Sequence, residues 1–149
     1  MHRFLLSLLA ASLLWSCGGT TAHARATESP AVAIGLITFG FDVNASTLRV
    51  VRPMSVFVVT NAAISWSAWL NEVTGGTNVN VIYVSEGADG YETFIHQELL
   101  EVTSPLLTLL ANTSDLGGIV GAQPGLYTMR ILQHARILAQ GTFRLTATP

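Results

Sequence analysis

The chain has 149 residues, half of them hydrophobic and only 11% charged, which excludes a disordered polyelectrolyte and allows one domain with a substantial core. Seven arginines against nine acidic residues give a formal net charge of −2, and there is no lysine. A nucleic-acid surface, which needs a clustered positive field, and lysine-based catalysis are both excluded.

Residues 1–17 open with Arg3 and an apolar run from Phe4 to Trp15, the length of a secretory signal core and too short for a membrane-spanning helix. Two processing routes compete. Leu14-Trp15-Ser16-Cys17 before Gly18-Gly19 resembles a bacterial lipobox, which makes Cys17 the lipidated first residue of the mature chain; Ala22-His23-Ala24 is an alternative cleavage site, with Cys17 discarded. The expectation adopted is lipidation at Cys17, a lipoprotein of the cell membrane or outer membrane whose contact with the bilayer is its acyl anchor alone. Ordinary cleavage predicts a secreted or periplasmic protein instead. Cys17 is the only cysteine, so the domain has no disulfide and depends on packing. The small and polar residues 18–32 read as a flexible tether to a domain at 33–149.

Beyond the tether, period-two alternation and β-branched runs recur between Gly, Asn, Asp and Pro, and no amphipathic helical period lasts three turns. The predicted class is an all-β antiparallel sandwich of seven to nine strands, near 33–41, 47–51, 54–60, 63–70, 79–86, 92–101, 106–111, 125–133 and 137–147. The stretch 105–112 fits strand or short helix equally. In "AISWSAWL" Ile64, Trp66 and Ala68 fall on one face, the core side, and Ser65, Ser67 and Trp69 on the other. "GADG" at 87–90 is a turn between two strands, and "GGIVGAQPG" at 117–125 reads as a mobile connection.

Near the C-terminus, Tyr127, Met129 and Ile131 share a face and should oppose Ala139, Gly141 and Phe143. That parity predicts Gln133 opposite Ile137 with the loop His134-Ala135-Arg136, which lacks the glycine such loops favour and so invites a compensating bulge.

"PGLYTMR" at 124–130 resembles the tyrosine corner of immunoglobulin-like sandwiches, with Gly125 and Tyr127 as its structural residues and Met129 where a disulfide cysteine often stands. Together with "ITFG" at 37–40, "ISWSAWL" at 64–70 and "LAQGTF" at 138–143, it is similar to exported bacterial domains with an immunoglobulin-like, fibronectin type III-like sandwich. The resemblance implies a cell-envelope or secreted location and supplies no catalytic residue.

The residues themselves point away from catalysis, cofactor or metal. His96 and His134 lack zinc-ligand spacing, Glu86, Asp89 and Glu92 flank a turn without a cation-loop pattern, no nucleophile elbow is present, and the glycine cluster lacks the lysine of a phosphate loop. The expectation is a non-enzymatic binding or structural module of the envelope, its partner an envelope protein or a polysaccharide; a hydrolase of unrecognised type is the remaining class. Two surfaces are candidates. Trp69 would stack on a sugar if it is not packed under a loop, and Leu132 with Leu138, beside Ile82 and Val84 and flanked by Arg130 and Arg144, would form an apolar strip for a protein.

Overall fold

Ten strands and one short helix carry the described chain, which in this computed structural model covers residues 33–60, 63–121 and 123–147. In chain order they are β1 (Gly35–Gly40), β2 (Val43–Asn44), β3 (Arg49–Val50), β4 (Val56–Val58), β5 (Ala63–Trp69), β6 (Asn78–Glu86), β7 (Glu92–Glu101), β8 (Leu109–Asp115), α1 (Leu116–Val120), β9 (Gly125–Gln133) and β10 (Arg136–Thr146). The expectations for the signal segment, Cys17, the Ala24 cleavage site and the tether lie outside the described residues.

The large sheet runs β7-β6-β9-β10-β1-β5-β8, with β4 alongside β10. It curls so that β7-β6-β9-β10 faces β1-β5-β8, an immunoglobulin-like sandwich in which β1 joins the layers, parallel to β10 and antiparallel to β5. The chain then leaves β1, forms the β2–β3 hairpin, and returns as β4, parallel to the end of β10.

Alternation determines what lies between the layers. Ile37 and Phe39, Ile64, Trp66 and Ala68, Val79, Val81 and Tyr83, Tyr127, Met129 and Ile131, and Ala139, Phe143 and Leu145 are all buried. Phe143 is the aromatic centre: Tyr127 stacks on it at 5.5 Å, and Phe39 and Phe57 meet it at 5.1 and 6.3 Å between centroids. Beside it stands Gly141, where a Cβ would lie 2.6 Å from the Ile37 carbonyl oxygen. Only glycine lets β1 lie this close to β10 at the fold between layers.

The tyrosine corner forms as the sequence implies. Tyr127 is buried, and its hydroxyl donates to the Gln123 carbonyl oxygen at 2.8 Å. A Cβ on Gly125 would come within 3.3 Å of the Tyr127 ring, so this glycine makes room for the corner.

The last hairpin keeps the expected parity by a different route. Its loop is two residues, His134-Ala135, both at positive φ (48° and 65°), and Arg136 rather than Ile137 pairs with Gln133. Leu138 is then the extra residue of a bulge, after which Ala139 meets Ile131, Gly141 meets Met129 and Phe143 meets Tyr127. The turn matches strand twist, as primed turns do, at the expense of two side chains in left-handed backbone.

Two other expectations are corrected. The stretch 105–112, open between strand and helix, divides: residues 105–108 form a turn and the loop after it, and the strand starts at Leu109 and continues through the polar Asn112-Thr113-Ser114-Asp115. The start of the glycine-rich connection is α1, with the Asp115 carboxylate accepting from the Gly117 N–H at 3.0 Å.

Urea unfolding checks both local arguments. Gly141→Ala should lose about 1–3 kcal/mol through overpacking. Ala135→Gly should gain up to about 1 kcal/mol by relieving the left-handed alanine.

Candidate functional site

Three surroundings hold the side chains able to do chemistry or bind. The first is interior. Trp66 of β5 and Ser114 of β8 belong to one layer, Tyr83 of β6 and Glu98 of β7 to the other, and all four converge where the free edges of the curled sheet approach. The Trp66 indole N–H donates to Ser114 Oγ at 3.0 Å, and the Tyr83 hydroxyl donates to the same oxygen at 2.8 Å. Ser114 Oγ in turn reaches Glu98 Oε1 at 3.4 Å, while the Tyr83 hydroxyl stands 3.2 Å from that oxygen. His96 faces Tyr83 across the strand pair, the ring centroids 6.2 Å apart.

The sequence gives one face of this arrangement and hides the other. Parity places Trp66 and Tyr83 inward, but nothing in the sequence singles out Ser114 or Glu98 as their partners. The signal that could have found them is the period: Glu98 stands two residues after His96, and Ser114 pairs with Ile64 across β5 and β8 and so shares its inward face.

Chemically, the cluster is a brace. Ser114 Oγ accepts two hydrogen bonds, from the indole and the phenol, which occupies both of its lone pairs. The Tyr83 phenol is pushed well above its ordinary range, chiefly by burial, with the nearby Glu98 charge acting in the same direction and the Ser114 hydrogen bond opposing it. Burial also raises the Tyr127 phenol. Among the described residues no three His, Cys, Asp or Glu side chains gather as a metal site.

The second surrounding is the outer face of β7-β6-β9-β10. Register places Leu99, Asn80 and Leu132 in one row, Gln97, Ile82, Arg130 and Gln140 in the next, and Phe94, Val84, Thr128 and Thr142 in a third. Phe94 is 61% and Leu99 63% exposed, both on β7, which stands at the sheet's edge. The predicted strip needs correction here. Leu138 is only 2% exposed, because the bulge turns it into the core; Leu132, half-buried, pairs with Ile137 instead. Arg130 is fully engaged, its Nε donating to Gln140 Oε1 at 2.9 Å and its two terminal nitrogens to the Glu92 carboxylate. That fork holds the Glu92 carboxyl below the usual range. Arg144 is exposed beside Leu126, in a further row.

The third surrounding is the outer face of β5. The β2–β3 hairpin covers its first half: Val50 N–H donates to Ser67 Oγ at 3.4 Å and Ser65 Oγ to the Phe41 carbonyl at 3.2 Å, so both serines are buried. Trp69 lies beyond the cover, in the open between Leu36 and Leu109, with the Arg49 guanidinium 5.1 Å from its ring centroid. His134 is exposed at the hairpin tip, far along the chain from His96.

No family model matches the chain, and no curated protein matches it. Among solved structures it is similar to an immunoglobulin-like protein of Pseudomonas aeruginosa, with 15% identity and a TM-score of 0.49 over 78% of this chain and 99% of that one. An alkylpurine DNA glycosylase of Pseudomonas fluorescens, bound to DNA containing an abasic site analogue, shares 14% identity at a TM-score of 0.36 over 62% of this chain and 28% of its own. The fold assignment stands on strand order and the tyrosine corner.

Ser114→Ala strands the Trp66 N–H in the core and leaves the Tyr83 hydroxyl with Glu98 Oε1 alone, and should lower stability by about 1–3 kcal/mol in chemical denaturation. Both raised phenols release protons more readily when unfolded, near pH 10. Their stabilisation is therefore complete below about pH 10 and lost as pH rises beyond it. Tyr83→Phe should flatten that alkaline loss, measured as unfolding free energy against pH.

Proposed function

We propose that this chain is an exported, non-enzymatic β-sandwich module, lipid-tethered at Cys17 in the cell envelope, that binds a protein partner through the outer face of β7-β6-β9-β10. The observation that carries the reading is the pair of large apolar side chains, Phe94 and Leu99, held in the open on one edge strand. Ile82 and Leu132, both half-buried, extend the apolar surface inward along the same rows. Aromatic and aliphatic anchors surrounded by polar groups form the energetic centre of protein interfaces. The Arg130–Glu92–Gln140 network keeps this face rigid, which lowers the entropy lost on binding.

The non-enzymatic part is supported by the interior: the hydroxyls, the indole and Glu98 that converge there satisfy one another across the layers. A polysaccharide ligand, the alternative, draws on exposed Trp69, one face of which already carries the Arg49 guanidinium.

A photo-crosslinking residue at position 94 or 99 in the producing cell should give one discrete adduct, abolished by aspartate at the other position, while the same residue at Ser46 on the β2–β3 loop gives none. Adducts equally abundant at all three positions would remove the proposed face. Retention on insoluble polysaccharide that depends on Trp69 would favour the sugar reading.

A further inference from the structure

One end of the sandwich gathers apolar side chains from four separate segments. Ile34 and Leu36 come from the start of β1, Trp69 from the end of β5, Val73 from the loop after it, and Leu106 from the loop before β8; all five are exposed, Leu36 at 63% and Leu106 at 72%. Main-chain bonds fasten these loops together: Leu70 N–H donates to Thr108 O at 2.8 Å, Thr74 N–H to Leu107 O at 3.0 Å and Gly75 N–H to Pro105 O at 2.7 Å. The apolar tips are thus fixed in place. A groove of about 450 Å³ opens among Ile34, Leu36, Trp69 and Asn71, rimmed by Arg136 and Glu72, which pair at 2.6 Å.

We infer that this end seats on the surface of a lipid bilayer, with Leu36, Trp69 and Leu106 at the level of the headgroups. Three observations select lipid. The apolar groups project from loop tips and a strand start, with an exposed tryptophan among them, the residue most favoured at membrane interfaces. Arg49, over the Trp69 ring, and Arg136, whose side chain is largely exposed, stand where they reach anionic headgroups while the rings and aliphatic tips stay in the apolar layer. Finally, the chain reaches this end directly from Cys17: residues 18–32 span at most about 50 Å, so an acyl group on Cys17 keeps this end of the domain near the bilayer. The inference rests on the lipid-tethered reading for its orientation, and adds a second membrane contact to one assumed to be the acyl anchor alone.

The test uses protein purified from the membranes of the producing cell and mixed with vesicles of phosphatidylethanolamine and phosphatidylglycerol whose acyl chains are brominated. Trp66 is buried and serves as the internal reference, so about half of the indole emission after Cys17, that of Trp69, should be quenched. Leu36→Asp and Leu106→Asp should each weaken that quenching roughly tenfold at limiting lipid. Acylated protein that floats with the vesicles while Trp69 emission is unchanged overturns the docking and leaves the anchor standing. Quenching of Trp69 in a Cys17→Ala chain upholds the docking and shows that it does not need the anchor. Quenching indifferent to both aspartates overturns the assigned residues.

Discussion

The hydroxyl of Ser114 is where the two layers of this sandwich are tied together. A curled sheet whose first and last strands are β7 and β8 has nothing covalent to stop it opening at that seam, since the chain has a single cysteine. Immunoglobulin-like domains often bridge their layers with sulfur; here the indole of one layer and the phenol of the other meet on one oxygen atom, backed by Glu98. Each bond adds only about 1 kcal/mol when made, but the indole N–H, the phenol and the serine hydroxyl are buried away from water when it is broken, so opening is penalised more than closing is rewarded. Met129 fills the place a cysteine would take and contributes volume only.

The architecture was largely legible because it depends on period and on a few special residues. Trp66, Tyr127 and the opposition of Gly141 to Met129 follow from counting by two, and the proline-glycine-tyrosine spacing identifies the corner before any coordinates are considered. What was missed has a common cause. Turn geometry, bulges and strand ends depend on main-chain bonds that leave a weak trace in side-chain identity: nothing about His134-Ala135 announces two left-handed residues, and Asn112 to Asp115 look like a turn until β5 is set beside them. The small β2–β3 hairpin is harder still, because its role is to lie over Ser65 and Ser67, which alternation alone assigns to solvent.

The exposure of the candidate residues was legible in part and misplaced in detail. Trp69 is exposed, and the outer face of the larger layer is partly apolar, as its alternation implies. The single bulge at Leu138 moved one leucine from that face into the core, and the edge strand β7, which sequence gives no way to identify as an edge, supplied Phe94 and Leu99 instead. Arg130 illustrates a further limit: its charge suggests a free contact, and only the fold brings Glu92 and Gln140 to it.

β7 also has a bulge of its own. Tyr83 pairs with His96 and Val84 with Phe94, which leaves Ile95 unmatched and divides the open rim into two short ladders, while His96 and Glu98 turn toward the interior from the outermost strand. Another copy of the chain trying to extend the sheet from this side meets a broken template and an acidic group beneath it. Such a rim resists fibre nucleation, so an oily edge can remain uncovered among crowded neighbours without seeding cross-β aggregates.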